Sequence, residues 1–132
     1  MKRILKALTP VVSLAALAAA PVALAGYKAE SAYCYKNTDG SGGCYGSLLG
    51  FRNHAGANTY AYFVQYYSGV KYFYANYTSG TTTTYFSCTP NTATGAQWTK
   101  ALNHSGYFSV YWDASGMCNS LYLYNGSQYA NF

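Results

Sequence analysis

The chain has 132 residues, with 17 tyrosines, 4 cysteines and only 8% charged side chains. That length fits one domain with a modest core. Beyond the export signal described next, five basic and three acidic side chains remain, a net of about +2, and they are scattered. Nucleic-acid binding, which needs clustered basic residues, is therefore not expected.

Residues 1–25 read as a secretory signal peptide. Lys2, Arg3 and Lys6 form a basic start, an apolar stretch runs from Val11 to Ala20, and Ala23-Leu24-Ala25 places small residues at the cleavage site. Pro10 and Pro21 leave too few uninterrupted apolar residues to span a bilayer. No later segment is long and apolar enough to do so. The expected product is a single domain over residues 26–132, secreted or periplasmic.

The remaining chain reads as all-β. Tyr, Phe, Thr and Val dominate it, no window keeps a helical period, and Gly-containing turn pairs recur at short intervals. The expected fold is a small antiparallel β-sandwich or barrel of roughly 7–9 short strands, from that spacing of turns. In chain order the candidates begin with Ala32 to Lys36 and Tyr45 to Phe51, separated by the turn segment Asp39-Gly40-Ser41-Gly42-Gly43. Tyr60 to Tyr67 and Val70 to Tyr77 follow, joined at Ser68-Gly69, and then Thr81 to Ser87. Thr89 to Gly95 reads as a polar loop, and Gln97 to Leu102 as a short strand or one helical turn. Tyr107 to Trp112 and Met117 to Tyr124 form a last hairpin around Asp113-Ala114-Ser115-Gly116.

Two hairpins define candidate surfaces. A two-residue turn at Ser68-Gly69 sets Tyr60, Tyr62, Val64 and Tyr66 beside Lys71, Phe73, Ala75 and Tyr77, with Phe63 beside Tyr72 and Tyr74 on the other side. Both faces are then aromatic, as for a central hairpin covered by core and by a second layer or a ligand. In the last hairpin a four-residue turn pairs Trp112 with Met117 and Phe108 with Leu121. Phe108, Val110, Trp112, Met117, Leu121 and Leu123 then make a core face. The opposite face carries Tyr107, Ser109, Tyr111, Cys118, Ser120, Tyr122 and Tyr124. Cys118 on this side implies that a partner segment covers part of it.

Cys34, Cys44, Cys88 and Cys118 are an even set in a small exported domain, which reads as two disulfides. The favoured pairing is Cys34–Cys44 with Cys88–Cys118. No metal or cofactor is expected, because no C-x-x-C spacing occurs and neither histidine has a second ligand at metal-binding spacing.

The only histidines lie in a repeated phrase, Asn53-His54-Ala55-Gly56 and Asn103-His104-Ser105-Gly106. They offer a hydrolase of the ribonuclease type, with His54 and His104 exchanging protons and Arg52 or Lys71 holding the phosphate. The plainer reading is turn chemistry before two similar hairpins. Carboxylate-pair chemistry lacks support, since Glu30, Asp39 and Asp113 are far apart and the last two sit in turns. No G-x-S-x-G stretch is present. Tyrosine supplies broad contact area and a hydroxyl at small entropic cost. The function expected from the sequence is therefore binding of a carbohydrate or envelope component through Tyr107, Tyr111, Tyr122 and Tyr124. A small secreted inhibitor or toxin is the remaining alternative.

Overall fold

The structure is a computed structural model, and it describes residues 29–129. The signal-peptide segment lies outside the described residues. Seven strands form one sheet: β1 (Ala32–Lys36), β2 (Gly42–Ser47), β3 (Tyr60–Gln65), β4 (Lys71–Ser79), β5 (Thr82–Pro90), β6 (Tyr107–Trp112) and β7 (Met117–Tyr124). Their order is β1-β2-β6-β7-β5-β4-β3. The sheet is mixed rather than purely antiparallel, because β5 meets β7 in parallel over two register pairs. It does not close on itself, and β1 and β3 are its edges.

Three one-turn helices interrupt the strands: α1 (Leu48–Arg52), α2 (Thr92–Ala96) and α3 (Trp98–Leu102). Two of them correct the sequence reading. Leu48 to Phe51 reads in the sequence as the end of a strand, but Ser47 accepts the Gly50 N–H through its hydroxyl at 2.8 Å and starts a helix instead. Thr89 to Gly95 is not a loop. Thr89 and Pro90 extend β5, and the Asn91 side chain then caps α2 by accepting the Thr94 N–H at 2.9 Å. Gln97 to Leu102 contains the helical turn that was one of its two expected forms.

The core lies between the two halves of a bent sheet. Phe63 of β3 and Phe73 of β4 meet Phe108 of β6 at ring separations of 5.3 and 5.7 Å, and Phe86 of β5 meets Trp112 at 5.9 Å. The helices close the gap. Phe51 of α1 stacks on Phe108 at 5.5 Å, and Trp98 of α3 is fully buried against Phe63. The Trp98 indole N–H donates to the Val64 carbonyl at 2.8 Å, which satisfies a polar atom that burial would otherwise strand.

The disulfides are Cys34–Cys44 and Cys88–Cys118, the favoured pairing. The first joins directly opposed residues of the β1–β2 ladder. The second ties β5 to β7, where the sheet has only two paired positions.

Both hairpin registers differ from expectation. Between β3 and β4, Phe63 pairs with Phe73 and Gln65 with Lys71, one residue away from the two-residue turn. The Tyr66 N–H bonds the Val70 carbonyl, so the loop has three residues and closes through Gly69 at φ +83°. A one-residue slip moves every side chain of a strand to the other face. Ala61, Phe63, Phe73 and Ala75 therefore face inward, with Gln65, Lys71 and Tyr77 at the ends of that face, and Tyr60, Tyr62, Tyr66, Tyr72 and Tyr74 face outward. Between β6 and β7 a bulge shifts the register: Tyr111 pairs with Ser120 but Trp112 pairs with Cys118, not Met117. Asn119 is the extra residue. It turns Cys118 inward, where it is fully buried, and leaves Met117 exposed.

Candidate functional site

The bulge changes what lies on the outer face of β6 and β7. With Cys118 in the core, its disulfide no longer draws a covering segment over the tyrosines. Tyr107, Tyr111, Tyr122 and Tyr124 share this face with Ser109 and line an open depression of about 290 Å³. Tyr122 and Tyr124 are each 55% exposed, while Tyr107 and Tyr111 are half-buried. No charged side chain lines the depression.

Its floor is shaped from beneath. Gly42 and Gly43 of β2 run beside Trp112 and Tyr111 of β6. A β-carbon on Gly43 would fall 2.4 Å from the Tyr111 ring, and one on Gly42 would fall 2.7 Å from the Trp112 ring on the core side. Two successive glycines thus let one aromatic ring lie flat on each face of the sheet. At the other end, Tyr107 meets Tyr124 edge-on at 5.8 Å and Tyr129 at a tilt at 5.4 Å. Partial burial raises the Tyr107 phenol above its ordinary range, with Tyr111, Tyr45, Tyr129 and Tyr124 adding to it.

A second tyrosine surface covers the outer side of β3, β4 and β5. Tyr60 stacks on Tyr62 at 5.9 Å, Tyr72 on Tyr74 at 5.5 Å, and Tyr62 and Tyr74 meet across the ladder at 5.3 Å. Tyr66 and Tyr85 extend it. Desolvation, followed by the neighbouring Tyr66, pushes Tyr74 up to about 12, and desolvation also raises Tyr62. The mistaken hairpin register hid this surface. The signal was present in the sequence: only the three-residue loop sorts the phenylalanines from the tyrosines.

The histidines occupy matching places in the chain. Each follows an asparagine that ends a helix, Asn53 at φ −94°, ψ 5° and Asn103 at φ −102°, ψ 10°. The repeated phrase is thus a recurring exit from a helical turn into the next connection. The ring environments differ. His54 Nδ1 accepts the Gly56 N–H at 3.0 Å, and its ring lies 5.0 Å from Tyr77. His104 is buried, and Nε2 donates to the Tyr107 carbonyl at 2.8 Å. No hydrogen bond or ring contact joins the two among the described residues. Arg52 and His104 line one cavity, and His54 does not line it.

Asp39 and Asp113 serve their turns. Each accepts both the N–H and the hydroxyl of the serine two residues on, Ser41 and Ser115, and these bonds lower both carboxyl groups below their ordinary range. Among the described residues no group of three or more His, Cys, Asp or Glu could hold a metal ion. No described helix is long and apolar enough to cross a membrane. Comparison with protein-family models, with curated proteins and with solved structures returns no match.

Proposed function

We propose that this chain is a small exported binding protein that holds a carbohydrate on the outer face of β6 and β7. In this reading the two halves of the bent sheet act as layers of a small sandwich, each with an outer tyrosine surface. The observation that carries the proposal is the depression formed by Tyr107, Tyr111, Tyr122, Tyr124 and Ser109. A sugar ring has an apolar C–H face and a rim of hydroxyls. Tyrosine matches both, with an apolar ring to lie against and a hydroxyl at its tip. Tyr107 is braced by Tyr124 and Tyr129, and Tyr111 lies over Gly43, so these two rings have less side-chain freedom to lose on binding. Two disulfides suit an oxidising compartment, where envelope and extracellular glycans are found.

A glycan array probed with the oxidised protein tests this directly. Positive ligands should lose about tenfold in affinity, near 1.4 kcal/mol, on Tyr122→Ala or Tyr111→Ala. Unchanged binding in both variants would place the ligand elsewhere on the molecule.

A further inference from the structure

A second cavity borders the same tyrosines, and its chemistry differs. It measures about 260 Å³ and is lined by Leu48, Leu49 and Arg52 of α1, by His104 and Ser105 before β6, and by Tyr129. Tyr107 links it to the depression on the sheet. The Tyr107 ring packs on Tyr129, and its carbonyl accepts from His104. Each space alone falls below the roughly 300–1,000 Å³ of a small-molecule site. The two share no lining residue, but the contact of Tyr107 with Tyr129 sets them next to each other, with tyrosines at one end and a cation at the other.

Arg52 supplies that cation. It is exposed and sits in the last turn of α1. Guanidinium is permanently charged and presents its donors as a planar fork that matches a carboxylate. Ser105 and Tyr129 place hydroxyl groups on the same cavity, while Leu48 and Leu49 give it an apolar wall. Glu30 accepts from the Asn53 amide at 2.9 Å and does not line the cavity. Neither space is lined by an acidic side chain.

We infer that the ligand is an acidic saccharide, with a neutral portion lying on Tyr107, Tyr111, Tyr122 and Tyr124 and a carboxylate held by Arg52. This rests on the β6–β7 face being the binding surface. The test is calorimetry with a uronic-acid oligosaccharide and with the same oligosaccharide after its carboxyl groups are reduced to alcohols. The acidic form should bind about tenfold tighter, because a charge-assisted hydrogen bond is stronger than a neutral one. Arg52→Gln should abolish that preference, bringing the two forms to equal affinity. Higher salt should narrow the gap, since Arg52 is exposed. Equal binding of the two forms, or a preference that survives Arg52→Gln, overturns the inference and leaves the tyrosine surface standing. Failure of the wild-type protein to bind either form, or no loss in Tyr111→Ala and Tyr122→Ala, overturns the tyrosine surface and this inference together. Arg52 is on the surface, so its replacement leaves the fold intact, which a matching thermal melt verifies.

Discussion

Tyr74 shows how one side chain records its surroundings. Its phenol lies among other phenols, where partial desolvation disfavours the charged form, and Tyr66 beside it adds a like-charge penalty. The folded protein therefore keeps this proton up to about 12, while an unfolded tyrosine releases it near 10. The sign follows from linkage: stability from this group is complete below pH 10 and falls as pH rises toward 12. Tyr74→Phe removes the ionisation, so the midpoint of alkaline unfolding should move upward when followed by circular dichroism. An unchanged midpoint would mean that Tyr74 does not govern alkaline stability. Trp98 carries the opposite kind of constraint. It is fully buried with its N–H satisfied, so Trp98→Ala should cost roughly 3–5 kcal/mol in denaturant unfolding. Trp98→Phe keeps most of the packing and loses the hydrogen bond, a cost of about 1 kcal/mol.

At the scale of elements, the β3–β4 hairpin depends on a single glycine for its register. Gly69 has φ +83° and open space around its α-carbon, so Gly69→Ala meets no clash and suffers only the backbone penalty. That penalty is about 1–2 kcal/mol, readable as a lower denaturation midpoint. Gly43→Ala tests the other sheet half. Its β-carbon would collide with the Tyr111 ring, so the ring must move and glycan affinity should fall together with stability. Strand limits were legible where the chain alternates cleanly: β1, β6 and β7 begin and end where the sequence placed them. The helices were not. Each has five residues, too few for a 3.6-residue period to accumulate, and only the capping side chains of Ser47 and Asn91 mark two of the starts.

For the whole molecule, the weak place is the junction of β5 and β7. Only Thr89 with Met117 and Pro90 with Cys118 pair there, and the Thr94 hydroxyl adds one bond to the Cys118 carbonyl at 2.6 Å. The Cys88–Cys118 bridge spans this junction and closes a separation of 30 residues, against 10 for Cys34–Cys44. Loop-closure entropy alone gives about 3.6 and 2.7 kcal/mol for the two. The Cys34–Cys44 bridge lies inside a five-pair ladder and has less to hold. Replacing Cys88 and Cys118 together by alanine should therefore lower Tm more than replacing Cys34 and Cys44. Equal losses would show that the junction holds without its bridge.

The sequence by itself determined the β character, an even set of cysteines for two disulfides, and the concentration of tyrosine on sheet surfaces, and of three possible pairings it favoured the one observed. These follow from composition, from cysteine spacing and from the two-residue period, all of which are local. It also held the candidate tyrosines of the last hairpin on one face, because a shift of two residues preserves parity. Tertiary structure decided the rest. The bulge at Asn119 sent Cys118 inward, and the three-residue loop at Gly69 turned a mixed hairpin into a sorted one. The meeting of Arg52 with His104 and Tyr129 depends on three segments far apart in the chain. No pattern within a single segment can encode such a meeting, because the fold of the whole sheet sets which segments become neighbours.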